Sequence, residues 1–411
     1  MTEKIYYKFI QFALGTYEGK EFLDGSALNG FDWQRFYAFA KKQTLAGIIM
    51  EGISRLPNAV APKQGLLMNW FMMSQNISRQ NMMLNAATAE IYNKVKAAGY
   101  DCCILKGQAN AAMYANPAER TPGDVDMWVN ASREEIRQLA QTLANEKGRI
   151  DEESYNHIAL TTNDISVELH YTPGFMANFT YNRRLQQWFR ESIDAQCRNM
   201  IALPDEAGEV AAPTADFNAV YQLYHLYHHY FYEGVGLRQV VDYYYVILNE
   251  ELKNCRLRDE ELKNCELETQ NSKLNNSKSA KPTIQNSKFK TQNSLKRLGL
   301  WHFAGAMMYV LHEVLGLPEE KMIAPMDKKR GEMLLNDILC GGNFGHHDER
   351  HAWGRDTYDG NGFKHGALGH NLLRLHRDLR LLKYYPSEAL SEPIFRLWHY
   401  YWRWKMKKSK P

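Results

Sequence analysis

The sequence predicts an α+β protein in which a small mixed-sheet core is flanked by N- and C-terminal helical regions. Residues 1–95 carry apolar side chains at helical spacing, residues 96–205 contain short runs typical of strands, and the helical pattern returns after residue 206. A chain of 411 residues is long enough for two or three domains. We therefore predict a helical region at 1–95, an α/β core at 96–205 and a C-terminal helical domain at 206–411.

The bulk composition is that of an ordinary soluble protein. Hydrophobic residues make up 45% and charged residues 24% of the chain, and a formal net charge of +3 is too small to indicate a nucleic-acid or acidic-lipid partner. No window approaches eighteen uninterrupted apolar residues, and the N-terminus lacks the apolar run of a signal peptide. None of the six cysteines forms a CxxC pair. We expect no membrane span and a reducing, cytoplasmic location.

The C-terminal helical domain is interrupted by a repetitive stretch. "ELKNC" occurs at 251–255 and again at 261–265, and "QNSK" occurs at 270–273 and 285–288. Between Asn271 and Asn293 the aliphatic and aromatic residues are only Leu274, Ala280, Ile284 and Phe289. Such a segment buries too little apolar area to offset the entropy lost on ordering. We predict a low-complexity, disordered insertion at about 251–294.

The central region alternates strands and helices. "YDCCILKG" and "DVDMWVN" are typical of strands, with the short helix "QANAAMYA" between them. "SREEIRQLAQTLANEKG" predicts an amphipathic helix with Ser132 as N-cap and Glu135 completing a capping box. "YNHIALTTNDISVELHY" predicts two strands joined by a tight turn at Asn163 and Asp164.

The candidate chemistry lies on two of these strands. Because side chains alternate faces along a strand, Asp124 and Asp126 share one face, and the face carrying Val125 is expected to pack inward. Glu168 and His170 share a face of the later strand, which could bring a third carboxylate to the same place. Three hard oxygen ligands suit Mg²⁺ or Mn²⁺. The alternative is a solvated strand end in a helical interaction protein.

A strand, a Lys-Gly turn and a helix precede this pair in "ILKGQANAAMYA". Backbone amides at the start of that helix can hold a phosphate, and Lys106 adds a positive charge.

In this arrangement the chain resembles the bacterial uncharacterised nucleotidyltransferase family, within the DNA polymerase β-like nucleotidyltransferase superfamily. The resemblance rests on "LKGQANAAMYANPAERTPGDVDMWV", on "ELHY" and on "GLRQVVDYYYVI", and it spans most of the chain outside the insertion. The matching positions are Leu105, Lys106, Gly107, Tyr114, Arg120, Gly123, Asp124, Asp126, Glu168, Leu169, His170, Arg238 and Asp242.

The resemblance implies a Mg²⁺- or Mn²⁺-dependent enzyme that transfers a nucleoside monophosphate from an NTP, with ATP favoured, to a hydroxyl acceptor. The implied catalytic and metal-binding residues are Asp124, Asp126 and Glu168. The implied nucleotide- and phosphate-binding residues are Lys106, Gly107, Arg120, Gly123 and Arg238. The acceptor is open among a small molecule, a protein and an RNA end.

Several of these positions also admit a structural role. Arg120 could form a salt bridge, Arg238 could pair with Asp242 one helical turn away, and His170 is interpreted as structural. The superfamily usually has Gly-Gly or Gly-Ser after the first strand, whereas this chain has Gly107-Gln108. That departure leaves a catalytically weak, nucleotide-binding regulatory protein as the alternative.

Two histidine clusters and the C-terminus carry weaker signals. One cluster lies on a predicted helix and the other in the Gly-bounded loop "GGNFGHHDERHAWG". Their members are His225, His228 and His229, and His346, His347 and His351. Each could bind a metal, but a packed helix and a mobile loop over the cleft are the favoured interpretations. "FRLWHYYWRWKMKKSKP" predicts a docking helix with a basic tail, or else a membrane-surface or nucleic-acid contact.

Overall fold

The computed structural model describes residues 2–145, 148–249, 284–347 and 366–408. It confirms the predicted α+β class, with helices surrounding a small mixed sheet. The N-terminal helices are α1 (Thr2–Ala13), α2 (Lys20–Leu23), α3 (Trp33–Lys42), α4 (Ala46–Ser54) and the 34-residue α5 (Gln64–Ala97). Asp32 caps α3 by accepting a hydrogen bond from the Arg35 amide, as its position before the apolar pattern requires.

The sheet region follows α5. Its elements are β1 (Cys102–Ile104), α6 (Gln108–Ala111), β2 (Val125–Val129), α7 (Arg133–Asn145), β3 (Gly148–Glu153), β4 (His157–Thr162) and β5 (Ile165–His170). The strands are ordered β1-β2-β5-β4-β3; β2 and β5 are parallel and the other neighbours antiparallel. The predicted hairpin β4–β5 turns at Asn163 and Asp164, which both adopt positive φ as a type I′ turn demands.

Helices dominate the rest of the described chain. Their bounds, with one further pair of strands, are α8 (Phe179–Gln196), β6 (Met200–Ala202), β7 (Glu209–Ala211), α9 (Ala215–Tyr232), α10 (237–249), α11 (Ile284–Arg297), α12 (Trp301–Leu315), α13 (Lys328–Gly341), α14 (Gly366–Leu381) and α15 (Pro386–Lys408). Within the described ranges, none of the helices combines the length and the apolarity that a bilayer span needs.

Both faces of β2 are buried, which differs from the expectation that only the Val125 face packs inward. Helix α7 packs against β3 and β4 on one side of the sheet. On the other side, Trp128 contacts Phe189 of α8 and Phe217 of α9, with ring centroids 5.7 and 6.0 Å apart. Because α8 and α9 cover the face that carries Asp126, this carboxylate lies at the base of a cleft rather than on an open surface.

The structure differs from the prediction at the end of the repetitive stretch. Helix α11 begins at Ile284, inside the range expected to be disordered; residues 250–283 lie outside the described residues. The helix packs against α9 and α12 and buries Thr291 and Leu295, so tertiary contacts order a sequence whose own apolar content is low. The boundaries at 95, 205 and 206 stay predictions.

The C-terminal helix docks onto the sheet region, in line with the first of its two interpretations. Tyr155, between β3 and β4, contacts the rings of Phe395, Trp398 and Trp402 of α15 at 6.3, 5.5 and 5.3 Å between centroids. The aromatic cluster thus packs α15 against the end of the sheet at which His157 lies.

Candidate active site

Three carboxylates meet at the end of the parallel strand pair. Asp126 of β2 lies directly opposite Glu168 of β5, and Asp124 immediately precedes β2. One oxygen atom from each of the three lies within 4.8 Å of the others. The Asp126 side chain is 0% exposed, whereas Asp124 and Glu168 are 38% and 25% exposed. Asp126 is thus the buried anchor, and the other two face the cleft.

Two basic side chains neutralise part of this charge. Lys106, just after β1, places Nζ 3.0 Å from Asp126 Oδ2 and 4.0 Å from Asp124 Oδ1. His170 places Nε2 3.1 Å from Asp126 Oδ1 and 3.2 Å from Glu168 Oε2. The residue interpreted as structural therefore touches two of the three predicted metal ligands. Alternation along β5, which puts His170 on the face of Glu168, is the signal that pointed to this contact.

The pKa values of these groups follow from burial and from their partners. Burial opposes the charged form of Lys106, but the Asp124 and Asp126 carboxylates outweigh it and raise the pKa of the amine. Burial likewise opposes protonation of His170, but its hydrogen bonds to Asp126 and Glu168 raise its pKa to about 9. Burial alone would raise the pKa of Glu168, but the His170 hydrogen bond lowers it to about 2. The site therefore holds two cations against three carboxylates near neutral pH.

His157 is a site residue that sequence reasoning missed. It is the cross-strand partner of His170, and its Nδ1 lies 3.6 Å from Glu168 Oε2. Burial and the neighbouring His170 lower its pKa to about 4, so the imidazole is neutral at neutral pH. Strand alternation could have found it, because His157 opposes His170 once the turn at 163–164 fixes the register of the hairpin.

A second cluster of charged side chains, centred on Asp242, connects the sheet region to α10. Arg120 donates from Nε and Nη2 to the two carboxylate oxygens of Asp242, at 2.7 and 2.9 Å, and the Tyr114 hydroxyl donates to Oδ1 at 2.6 Å. Arg238 lies further away, with Nη1 3.4 Å from Asp242 Oδ2. The Arg120 Nη1 atom is buried without a hydrogen-bond partner. Arg120 is thus a buried salt-bridge residue that keeps one nitrogen free, and Arg238 is held only loosely.

The turn after β1 is shaped by Gly107 rather than by Gln108. Gly107 has φ of 63° and ψ of −115°, and a Cβ there would come 3.1 Å from the Asp124 carbonyl oxygen. Gln108 points away from the cleft, because its amide donates to Asn85 of α5. Gln108 therefore anchors the turn to α5.

Helix α9 forms the opposite wall. His225, His228 and His229 line the cleft with Glu233, and so do Asn343 and Phe344 from the loop after α13. The Nε2 atoms of His225 and His229 lie 2.9 Å apart, and Glu233 Oε2 is 2.9 Å from Nδ1 of His229. Burial lowers the pKa of His225 well below its usual range and that of His228 to about 3. Of the second histidine cluster, His351 lies outside the described residues.

All eight residues predicted for the site line this one cleft. They are Lys106, Gly107, Arg120, Gly123, Asp124, Asp126, Glu168 and Arg238. The structure thus brings the predicted residues together, while their roles in metal and nucleotide binding stay predictions. Lys106 and Arg120 are both engaged by carboxylates. For Arg120 this is the salt bridge considered from the sequence, whereas the contact of Lys106 with Asp126 was not expected.

The carboxylates fit a divalent cation. The donor set of Asp124, Asp126 and Glu168 is all oxygen, and its charge exceeds that of Lys106 and His170 by one. Asp124 is the most accessible of the three, and its nearer oxygen is 4.0 Å from Lys106, beyond hydrogen-bond distance. These residues could hold Mg²⁺ or Mn²⁺ at the mouth of the cleft.

Comparison with known proteins identifies the family of the chain. No curated protein and no solved structure matches the chain at a significant level. The family model described as "uncharacterised nucleotidyltransferase" matches residues 29–273, well over half of the chain, and includes the carboxylates, Lys106 and Asp242. The chain belongs to the uncharacterised nucleotidyltransferase family.

Proposed function

We propose that this protein transfers a nucleoside monophosphate from an NTP, with ATP the favoured donor, to a hydroxyl group and releases pyrophosphate. The observation that carries the proposal is the convergence of Asp124, Asp126 and Glu168 on a cleft that also contains Arg120 and Arg238. Family membership supports the class of reaction. In this reaction the acceptor oxygen forms a bond to the α-phosphorus, and the bond from that phosphorus to the pyrophosphate oxygen breaks.

The carboxylates would hold Mg²⁺ or Mn²⁺, which supplies charge stabilisation for the attacking and leaving oxygens. Asp126 is fixed by Lys106 and His170, so the geometry of the donor set is preorganised before any ligand binds. Asp124 and Glu168, both partly exposed, would complete the set from the cleft side.

The phosphates would lie on the wall made by Arg120 and Arg238. These two guanidinium groups face a single carboxylate, Asp242, so the group carries one net positive charge. The unpaired Nη1 of Arg120 and the weakly held Arg238 are the donors with capacity to spare. Gly123 lines the same cleft and has open space around the position of a Cβ, which lets a ligand approach the backbone.

Glu168 is poorly suited to remove the proton from the acceptor hydroxyl. Its pKa of about 2 makes it a weak base for as long as His170 donates to it. We therefore assign Glu168 to cation binding first, and to deprotonation only when the His170 hydrogen bond is released.

The test is pyrophosphate release. The protein is incubated with each NTP, Mg²⁺ or Mn²⁺ and a cell extract as the source of acceptors, beside an Asp124→Asn/Asp126→Asn variant. We expect pyrophosphate release by the wild type and its loss in the variant. The control is Asp101→Asn, which changes an exposed carboxylate that pairs with Lys96 at the far end of β1.

A second candidate is nucleotide binding without transfer. It is favoured by the full engagement of Asp126, whose two oxygens contact Lys106 and His170. Tight NTP binding with no pyrophosphate release from any NTP would select this candidate. Absence of NTP binding would contradict both candidates.

A further inference from the structure

We propose that the cleft contains a second metal site, formed by His157, Glu168 and His170, that takes a borderline transition metal such as Zn²⁺. It adjoins the all-oxygen site and shares Glu168 with it. One ring nitrogen from each histidine and one carboxylate oxygen lie within 4.8 Å of one another. The proposal concerns binding alone and does not depend on nucleotidyl transfer.

The strand register builds this site. His157 and His170 are direct cross-strand partners in the β4–β5 hairpin, and Glu168 lies two residues before His170 on the same face. The residue opposite Glu168 on β4 is Ala159, whose side chain carries no polar group that could compete for the carboxylate. Two adjacent strands thus present two imidazoles and one carboxylate to one point.

The distance between His157 and Glu168 matches metal ligation better than hydrogen bonding. Ligands about 2.0–2.1 Å from a tetrahedral Zn²⁺ lie about 3.3 Å from one another. Glu168 Oε2 is 3.2 Å from Nε2 of His170 and 3.6 Å from Nδ1 of His157. The longer distance exceeds a hydrogen bond, and Nδ1 of His157 is buried with no hydrogen-bond partner. A buried nitrogen at ligand distance from a carboxylate is left unsatisfied until a cation binds.

The donor types separate the two sites. Asp124, Asp126 and Glu168 offer only oxygen, which suits Mg²⁺ or Mn²⁺, whereas the histidine site offers two nitrogens and one oxygen, which favours Zn²⁺ or Co²⁺. In the metal-free protein Nε2 of His170 donates to Asp126 at 3.1 Å. Metal binding would release the Nε2 proton to solvent and replace that hydrogen bond by a coordinate bond.

The histidine group on α9 offers fewer ligands to one metal ion than the group on the sheet does. His225 and His229 face each other at 2.9 Å, and Glu233 contacts the far nitrogen of His229. Among the described residues, only the histidine and carboxylate groups on the sheet supply three ligands to one point. A substitution in the α9 pair therefore serves as the control for a metal site elsewhere in the same cleft.

The test is metal binding by protein purified without a polyhistidine tag and stripped with a chelator. Zn²⁺ affinity is measured by competition with a chromophoric chelator, and Co²⁺ is added as a spectroscopic probe of coordination. We expect about one tight Zn²⁺ per wild-type chain, and a loss of at least about 100-fold in affinity in His157→Asn. Asp124→Asn should keep Zn²⁺ binding and lose Mg²⁺ binding, whereas His157→Asn should do the reverse.

A variant that replaces His157 by another metal ligand distinguishes loss of the metal site from misfolding. His157→Cys keeps a ligand at this position, so Zn²⁺ binding should return, and Co²⁺ should show a new thiolate charge-transfer band. Unchanged Zn²⁺ affinity in His157→Asn would overturn the proposal. So would loss of Zn²⁺ binding in His225→Ala rather than in His157→Asn, because the site would then lie on α9.

Discussion

Replacement of Asp242 by alanine should destabilise the fold more than any neighbouring change. Asp242 accepts two hydrogen bonds from Arg120 and one from Tyr114, and Arg120 is only 2% exposed. Its removal leaves a buried guanidinium without an acceptor. Breaking a buried ion pair in this way costs about 3–5 kcal/mol in the free energy of unfolding.

Two further variants test whether the cost comes from the unpaired charge. Arg238→Ala removes a donor 3.4 Å from the carboxylate, so we expect a loss of only about 1 kcal/mol. Arg120→Met/Asp242→Leu removes both partners and leaves one buried guanidinium, that of Arg238, where Asp242→Ala leaves two. We expect the double variant to be more stable than Asp242→Ala, although it carries one more substitution.

The assay is urea unfolding followed by tryptophan fluorescence and by far-UV circular dichroism, whose transitions must coincide for a free energy to be extracted. A loss below about 1 kcal/mol in Asp242→Ala would show that the unpaired guanidinium costs little. A double variant less stable than the single one would show that packing rather than charge holds this contact.

Three further outcomes follow from the site and its surroundings. Burial raises the pKa of Glu388 from 4.5 to about 7, so the folded state holds this proton more tightly than the unfolded chain. Stability should fall as pH rises from about 4.5 to 7, and in urea titrations Glu388→Gln should remove up to about 3 kcal/mol of that fall. Gly107→Ala should cost about 1–3 kcal/mol in thermal unfolding, because its φ is 63°, whereas Gly123→Ala, with open space around its Cβ, should be nearly neutral. Lys106→Met should tighten Mg²⁺ binding roughly tenfold in calorimetry without nucleotide, because it removes a competing cation, and should weaken NTP binding.

The convergence of the three carboxylates was predictable because strand alternation is a local rule. A period of two residues puts Asp124 and Asp126 on one face and Glu168 on the corresponding face of a later strand, and the parallel pairing of β2 and β5 places Asp126 opposite Glu168. The helix and hairpin signals were equally local: the Ser132–Glu135 capping box forms as predicted.

Features that depend on distant partners were not predictable. Arg120 and Asp242 are 122 residues apart, and no pattern near either one shows that they pair. The strand β3 has the sequence "GRIDEE", which lacks apolar alternation and is held by pairing with β4 at the sheet edge. The helix α11 begins in a polar, repetitive sequence, and it is ordered by packing on α9 and α12.

The position of α9 also came only from the structure. The sequence shows three histidines at helical spacing and gives no sign of which surface they meet. In the folded chain they line the cleft opposite the carboxylates. Because helix placement is set by tertiary packing, the position of α9 is less predictable from the sequence than the strands that carry the carboxylates.

The fate of labelled ATP shows whether the carboxylate cleft transfers a nucleotide. ATP labelled at the α-phosphate and, in parallel, at the γ-phosphate is incubated with the protein, Mg²⁺ and cell extract, beside Asp126→Asn and the Asp101→Asn control. We expect the α-label to enter an acceptor while the γ-label leaves in pyrophosphate, and we expect Asp126→Asn to abolish both. Transfer of the γ-label to the acceptor, or α-label transfer that survives in Asp126→Asn, would exclude nucleotidyl transfer by these carboxylates.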